Sequence, residues 1–125
     1  MTPELVAEFD AWVDRVSSEF TTPGVAAFGF LLYEHKHSFA VQLVGAASYV
    51  ESDPFGRDEV LFSSGEDLID LPREIIGAKW QDGLAAATEL VRGYFNRRGD
   101  AGPLHRATVA VGFVDGDIEV IERFT

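Results

Sequence analysis

Cysteine is absent from the 125 residues, and methionine occurs only once. Without thiols there can be no disulfide framework, thiolate nucleophile or thiolate metal site. Long apolar runs are also missing, since none approaches the roughly 18 residues that a membrane-spanning helix needs. The opening Met1-Thr2-Pro3-Glu4-Leu5 has neither the basic start nor the apolar stretch of a signal peptide. A cytoplasmic protein without a membrane partner is therefore expected. No Walker loop, dinucleotide-binding glycine turn or nucleophile elbow occurs; Ser63-Ser64-Gly65 lacks the elbow's strand–turn–helix setting. No catalytic residue, enzyme activity or cofactor is assigned.

Positive charge is scarce. Ten Lys and Arg stand against 21 Asp and Glu, a net charge of −11. Most of the excess lies in two blocks. Residues 51–74 carry Glu51, Asp53, Asp58, Glu59, Glu66, Asp67, Asp70 and Glu74 against Arg57 and Arg73. The first twenty residues carry Glu4, Glu8, Asp10, Asp14 and Glu19 against Arg15. Such a field repels phosphate backbones and attracts basic partners, so nucleic-acid binding is not expected. Arg92, Arg97, Arg98 and Arg106 are read either as a basic patch or as partners for the acidic N-terminal helix.

The 46% hydrophobic content and ten phenylalanines are enough to fill the core of one domain spanning 1–125. Thr2 and Pro3 open a helix whose Leu5, Phe9, Val13, Val16 and Phe20 recur at helical spacing, with Val6 and Trp12 widening the stripe. Val25 to Tyr33 reads as a buried strand, and Ser38 to Val50 as a second strand bulged near Gly45. Glu59 to Ser63 is a short third strand, followed over 64–78 by an acidic connection without periodicity. A second helix runs from about Ala78 to Arg97, with Trp80, Leu84, Ala87, Val91 and Tyr94 inward. Ala107 to Val114 and Ile118 to Phe124 flank Asp115-Gly116, a hairpin signal. The order αβββαββ predicts an α+β fold: an antiparallel five-stranded sheet with two helices packed on one face.

His35 and His37 could begin a metal site, with Glu34 or His105 as a third ligand, but two histidines do not close one and the segment reads as a solvated turn. Asp115-Gly116-Asp117-Ile118-Glu119 has its glycine at the wrong place for a calcium loop. Asp53-Pro54-Phe55-Gly56 lacks the companion motifs of a kinase magnesium site. No metal is expected.

Phe28-Gly29-Phe30-Leu31-Leu32-Tyr33-Glu34, Val41-Gln42-Leu43-Val44-Gly45 and Asp58-Glu59-Val60-Leu61-Phe62 resemble segments of a family of short acidic bacterial proteins. The ending Val111-Gly112-Phe113-Val114-Asp115-Gly116-Asp117-Ile118-Glu119 resembles that family most closely. Its members carry Trp-Ala-Cys before the Asp-Glu where this chain has Phe55-Gly56-Arg57, so no role of that thiol transfers. The family is similar to immunity proteins of bacterial toxin systems, which implies a non-enzymatic protein that neutralises a basic toxin domain. On this view Asp53, Asp58, Glu59, Glu66, Asp67 and Asp70 steer and pair with the partner's cations, and Phe55 is the apolar anchor. The alternative is a small-ligand pocket between sheet and helices, lined by Trp12, Tyr33, Tyr49 and Trp80.

Overall fold

The computed structural model describes residues 1–19, 24–48, 55, 60–98 and 108–114, and the backbone of 118–123. Helix α1 spans Pro3–Ser18. The Thr2 hydroxyl accepts a hydrogen bond from the Leu5 amide at 3.2 Å, and Pro3 sits in the first turn, where its missing donor costs nothing. Leu5, Phe9, Trp12, Val13 and Val16 turn inward and are buried.

Strand β1 (Ala27–Glu34) is central, and β2 (Ser38–Ala46) folds back on it with Ala27 opposite Ala46 and Glu34 opposite Phe39. Strands β3 (Val60–Ser63) and β4 (Ile69–Pro72) both pair with β2, against its last and first residues respectively. They continue one another along the same edge, interrupted by an excursion over 64–68. The register shifts at Gly45, where a bulge is expected from the sequence. Strands β5 (Thr108–Phe113) and β6 (Ile118–Arg123) complete the sheet on the other side of β1. Six strands thus fill five positions across.

Two expectations need correction. The sheet is mixed, because β5 runs parallel to β1, from Ala27 opposite Thr108 to Leu32 opposite Phe113. A tight hairpin reverses the chain, but the helix α3 (Trp80–Arg98) that precedes β5 acts as a crossover and returns the chain to the starting end of the sheet. The acidic stretch 64–78 also holds β4 and a one-turn helix α2 (Arg73–Ile76). In β4, Ile69 and Leu71 are buried while Asp70 points to solvent. Four residues are too few for that alternation to stand out among carboxylates.

The two faces of the sheet differ in bulk. Phe28, Phe30 and Leu32 of β1, Phe39, Val41 and Leu43 of β2, and Val109, Val111 and Phe113 of β5 share one cluster with the inward residues of α1 and α3. The opposite cluster is made of Ala27, Leu31, Val44, Ala46 and Ala110, with Phe55 against them. Gly83 sets the distance of α3 from the sheet, since a Cβ there would lie 2.8 Å from Cδ2 of Phe39. Alanine in place of glycine inside a helix is ordinarily favourable by about 1 kcal/mol. Here the overlap with the fully buried Phe39 ring reverses the sign. Gly83→Ala should destabilise the protein by about 1–3 kcal/mol in urea unfolding; a gain in stability would show that α3 can withdraw freely.

Candidate functional site

Helical geometry sorts the charged residues of α1 into two rows, since each residue turns the chain by about 100°. Asp10 and Asp14 face α3; Glu4, Glu8, Arg15 and Glu19 lie on the other flank. The first row is neutralised. Arg97 donates from Nε and one terminal nitrogen to the two Asp10 oxygens at 2.6 and 2.8 Å. Arg98 grips Asp14 in the same way, at 3.2 and 2.6 Å. The Tyr94 hydroxyl donates to Asp14 at 2.8 Å, and the Arg98 guanidinium lies 5.2 Å from the centre of the Tyr94 ring. The hydrogen bond from Arg98, seconded by that from Tyr94, holds the Asp14 carboxyl below its usual range against the opposing effect of burial. Burial and the Asp14 carboxylate together push the Tyr94 phenol well above its usual value. These arginines therefore form a joint between helices, and of the two readings of Arg97 and Arg98 it is the pairing with α1 that holds.

The second row is left open. Near the C-terminus of α1, the Trp12 indole donates to the Asp67 carbonyl at 3.1 Å, and Arg15 pairs with the Asp67 carboxylate at 2.7 Å. At the other end, Met1 lines a depression with Ile75 and Ile76. Helix α1 therefore runs antiparallel to segment 67–76, and this brings the two acidic blocks of the sequence side by side. Glu4, Glu8 and Glu19 from one block and Glu66 and Glu74 from the other are exposed along this flank, whereas Asp70, between the inward Ile69 and Leu71, is exposed on the opposite face of the sheet. The arginines beside the flank are engaged. Arg15 holds Asp67, while Arg73 lies 4.1 Å from the Phe39 ring centre, donates to the carbonyls of His35 and Ala78, and sits 3.7 Å from Glu34.

The 64–68 excursion is tied down from both faces of the sheet. On the face opposite the helices, Tyr33 donates to the Gln42 amide oxygen at 2.8 Å and Gln42 donates to the Gly65 carbonyl at 3.0 Å. The Ser64 hydroxyl accepts from the Leu43 amide at 3.1 Å, and the Ser64 amide returns a bond to the Leu43 carbonyl. Trp12 and Arg15 hold the same excursion from the helix side. Glu66 is thus presented from a braced backbone.

Of the residues expected to meet a partner, Asp53, Asp58 and Glu59 lie outside the described residues. Glu66 and Asp70 are exposed, and Asp70 accepts a hydrogen bond from Ser38 at 3.4 Å. Asp67 is spent on Arg15. Phe55 is not an exposed anchor: it is 9% exposed, and its ring fills the space that a Gly29 side chain would take, 2.7 Å from the Cβ position. The aromatic residues of the alternative pocket do not converge. Trp12 is buried in the helix-side cluster, Tyr33 packs on the opposite face, and Tyr49 lies outside the described residues. Trp80 is 52% exposed, because it starts α3 at the margin of a buried stripe formed by Gly83, Ala86, Ala87, Leu90, Val91 and Tyr94.

His35 and His37 are exposed beside the β1–β2 turn, and His105 and the Asp115–Asp117 turn lie outside the described residues. Among the described residues, no group of three His, Asp or Glu side chains could hold a metal. No helix among them is long and apolar enough to cross a membrane. Glu4, Glu8, Glu19 and Glu74 belong to the flank but are not in the expected site. For the three on α1 the signal was the helical spacing of 4, 8, 15 and 19, which puts these carboxylates and Arg15 in one row along the helix. The chain matches no family model, no curated protein and no solved structure.

The helix joint has a pH signature on both sides of neutrality. Asp14 titrates lower when folded than when unfolded, so its contribution is present above about pH 4 and is lost as the pH falls through the folded value. Tyr94 titrates higher when folded, so its contribution is complete below about pH 10 and declines as the pH rises beyond that. Tyr94→Phe should lower stability at neutral pH by about 1–2 kcal/mol through loss of the bond to Asp14. It should also lose less stability than the parent between about pH 10 and 12, as followed by urea unfolding at each pH. Parallel curves for the two proteins would mean that Tyr94 ionises normally.

Proposed function

We propose that this chain is a non-enzymatic protein-binding domain whose acidic flank, along α1 and segment 66–74, captures a basic partner. The observation that carries this proposal is the pairing pattern. The arginines nearest the acidic blocks are engaged with Asp10, Asp14, Asp67 and Glu34, while Glu4, Glu8, Glu19, Glu66 and Glu74 are left facing solvent on one flank. Exposed carboxylates on one side of a molecule of net charge −11 raise the local concentration of a cationic partner and orient its approach. The same field argues against nucleic acid as the partner. The resemblance to immunity proteins fits this chemistry, and in that role the flank would cover the basic active face of a toxin domain. The partner's apolar anchor must then meet residues other than Phe55.

The test is surface-binding kinetics against the product of the neighbouring gene, with the parent and a Glu4→Gln, Glu8→Gln, Glu66→Gln, Glu74→Gln variant. The parent should associate fast at low salt and slow steeply as salt rises. The variant should associate about tenfold more slowly at low salt, with little change in dissociation, because rim charges act on encounter. Equal association rates for the two proteins would remove the flank from the interface.

A further inference from the structure

The outer face of α3 has a different character from the acidic flank. Gln81, Ala85, Thr88, Glu89, Arg92 and Asn96 turn away from the core side of the helix and border an open groove of about 620 Å³, with Trp80 at its head. A smaller depression of about 200 Å³, which shares Ala85 and Glu89 with it, is edged by Met1, Ile75, Ile76 and Asp82. Met1, Ile75 and Trp80 are among the large apolar side chains left exposed, at 46%, 39% and 52%. They stand on either side of a strip of helix that includes the short side chains of Ala85 and Thr88. The groove holds one carboxylate and one guanidinium, so it is balanced in charge on a molecule that is otherwise strongly acidic. Neither Glu89 nor Arg92 makes an ion pair among the described residues.

We infer that this face docks a second copy of the chain, with the two α3 helices antiparallel across a twofold axis. The charge arrangement is self-complementary. A twofold midway between Glu89 and Arg92 sets Glu89 opposite Arg92 of the other copy, and the symmetry makes that pair twice. The same axis sets Ala85 at the level of Asn96, so shorter side chains flank the two charged pairs. A basic partner has no such match here, because Arg92 would repel it. An acidic partner would meet Glu89 and the repulsion of the whole chain. A copy of the chain meets both charges with their opposites. This docking face adjoins the acidic flank at Met1, Ile75 and Ile76 but uses none of the flank's carboxylates along α1 and segment 66–74.

The test is sedimentation equilibrium of the intact chain together with its tryptophan emission. Trp12 is buried at 2% exposure, so a change in emission on association reports Trp80. The parent should form dimers as its concentration rises, with a parallel blue shift that Trp80→Phe removes. Glu89→Arg and Arg92→Glu should each weaken the dimer at least about tenfold, since each replaces two attractive pairs by two repulsive ones. The double variant, which restores opposite charges across the axis, should recover dimerisation to within about threefold of the parent. Thermal melts that match the parent's at concentrations where every protein is monomeric would show that the exposed substitutions leave the monomer folded. A chain that stays monomeric to about 1 mM overturns the proposal. So does a dimer indifferent to the single charge reversals, or one that the double variant fails to restore.

Discussion

The attachment of α1 through its acidic side governs much of this molecule. Two consecutive arginines at the end of α3 reach Asp10 and Asp14, one turn apart on α1, each through a forked pair of hydrogen bonds. A fork fixes direction as well as distance, so the two pairs set both the position and the rotation of α1. That rotation decides which side chains of α1 face the core, which face α3 and which are left for solvent. Turned by one residue, the helix would bury Glu8 or expose Phe9. The Asp10 carboxylate, with its side chain 11% exposed, is stable there because a charged donor satisfies both of its oxygens.

The sheet adds an asymmetry of size. Its helix side carries phenylalanines and branched residues, while the opposite side is tiled with alanine and glycine around Leu31 and Val44. A surface of small residues leaves shallow space, and the Phe55 ring occupies part of it above Gly29. Phe55 holds a positive φ of 56°, a conformation that costs free energy for a residue with a side chain and persists only where the surroundings enforce it. Burial of the ring supplies that enforcement. An aromatic residue among carboxylates thus became part of the interior because the adjacent strands offered it a seat.

Where packing follows local periodicity, the sequence was legible. The cap at Thr2, the inner stripe of α1, the near-continuous apolar run of β1 and the bulge at Gly45 are each determined by residues within a turn or two of one another. The parallel pairing of β5 with β1 is determined by the connection rather than by the strand, although both strands are apolar on both faces, as parallel strands tend to be. β4 escaped because its two buried residues are separated by Asp70 in a field of acids. Trp80 misled because a stripe read at a spacing of four drifts across the helix surface, and its first member fell at the margin. Among the candidate site residues, Glu66 and Asp70 were legible as charge, whereas the part played by α1 required knowing that it lies along segment 67–76.

Negative charge in this chain does several kinds of work that composition alone merges. Asp10 and Asp14 join helices; Asp67 ties the 64–68 excursion to α1; Asp82 accepts from the Lys79 amide at the start of α3. Each of these carboxylates has a donor close by and adds little field beyond its own neighbourhood. The long-range field comes from those without such a partner, and α1 with segment 66–74 gathers Glu4, Glu8, Glu19, Glu66 and Glu74 on one side. Removing Asp10 or Asp14 leaves Arg97 or Arg98 unpaired at the helix joint, so it acts on folding. Removing one of the second kind leaves nothing unpaired, so it acts on encounter with other molecules. The two kinds are separable by experiment for that reason, even though they alternate within sixteen residues of the same helix.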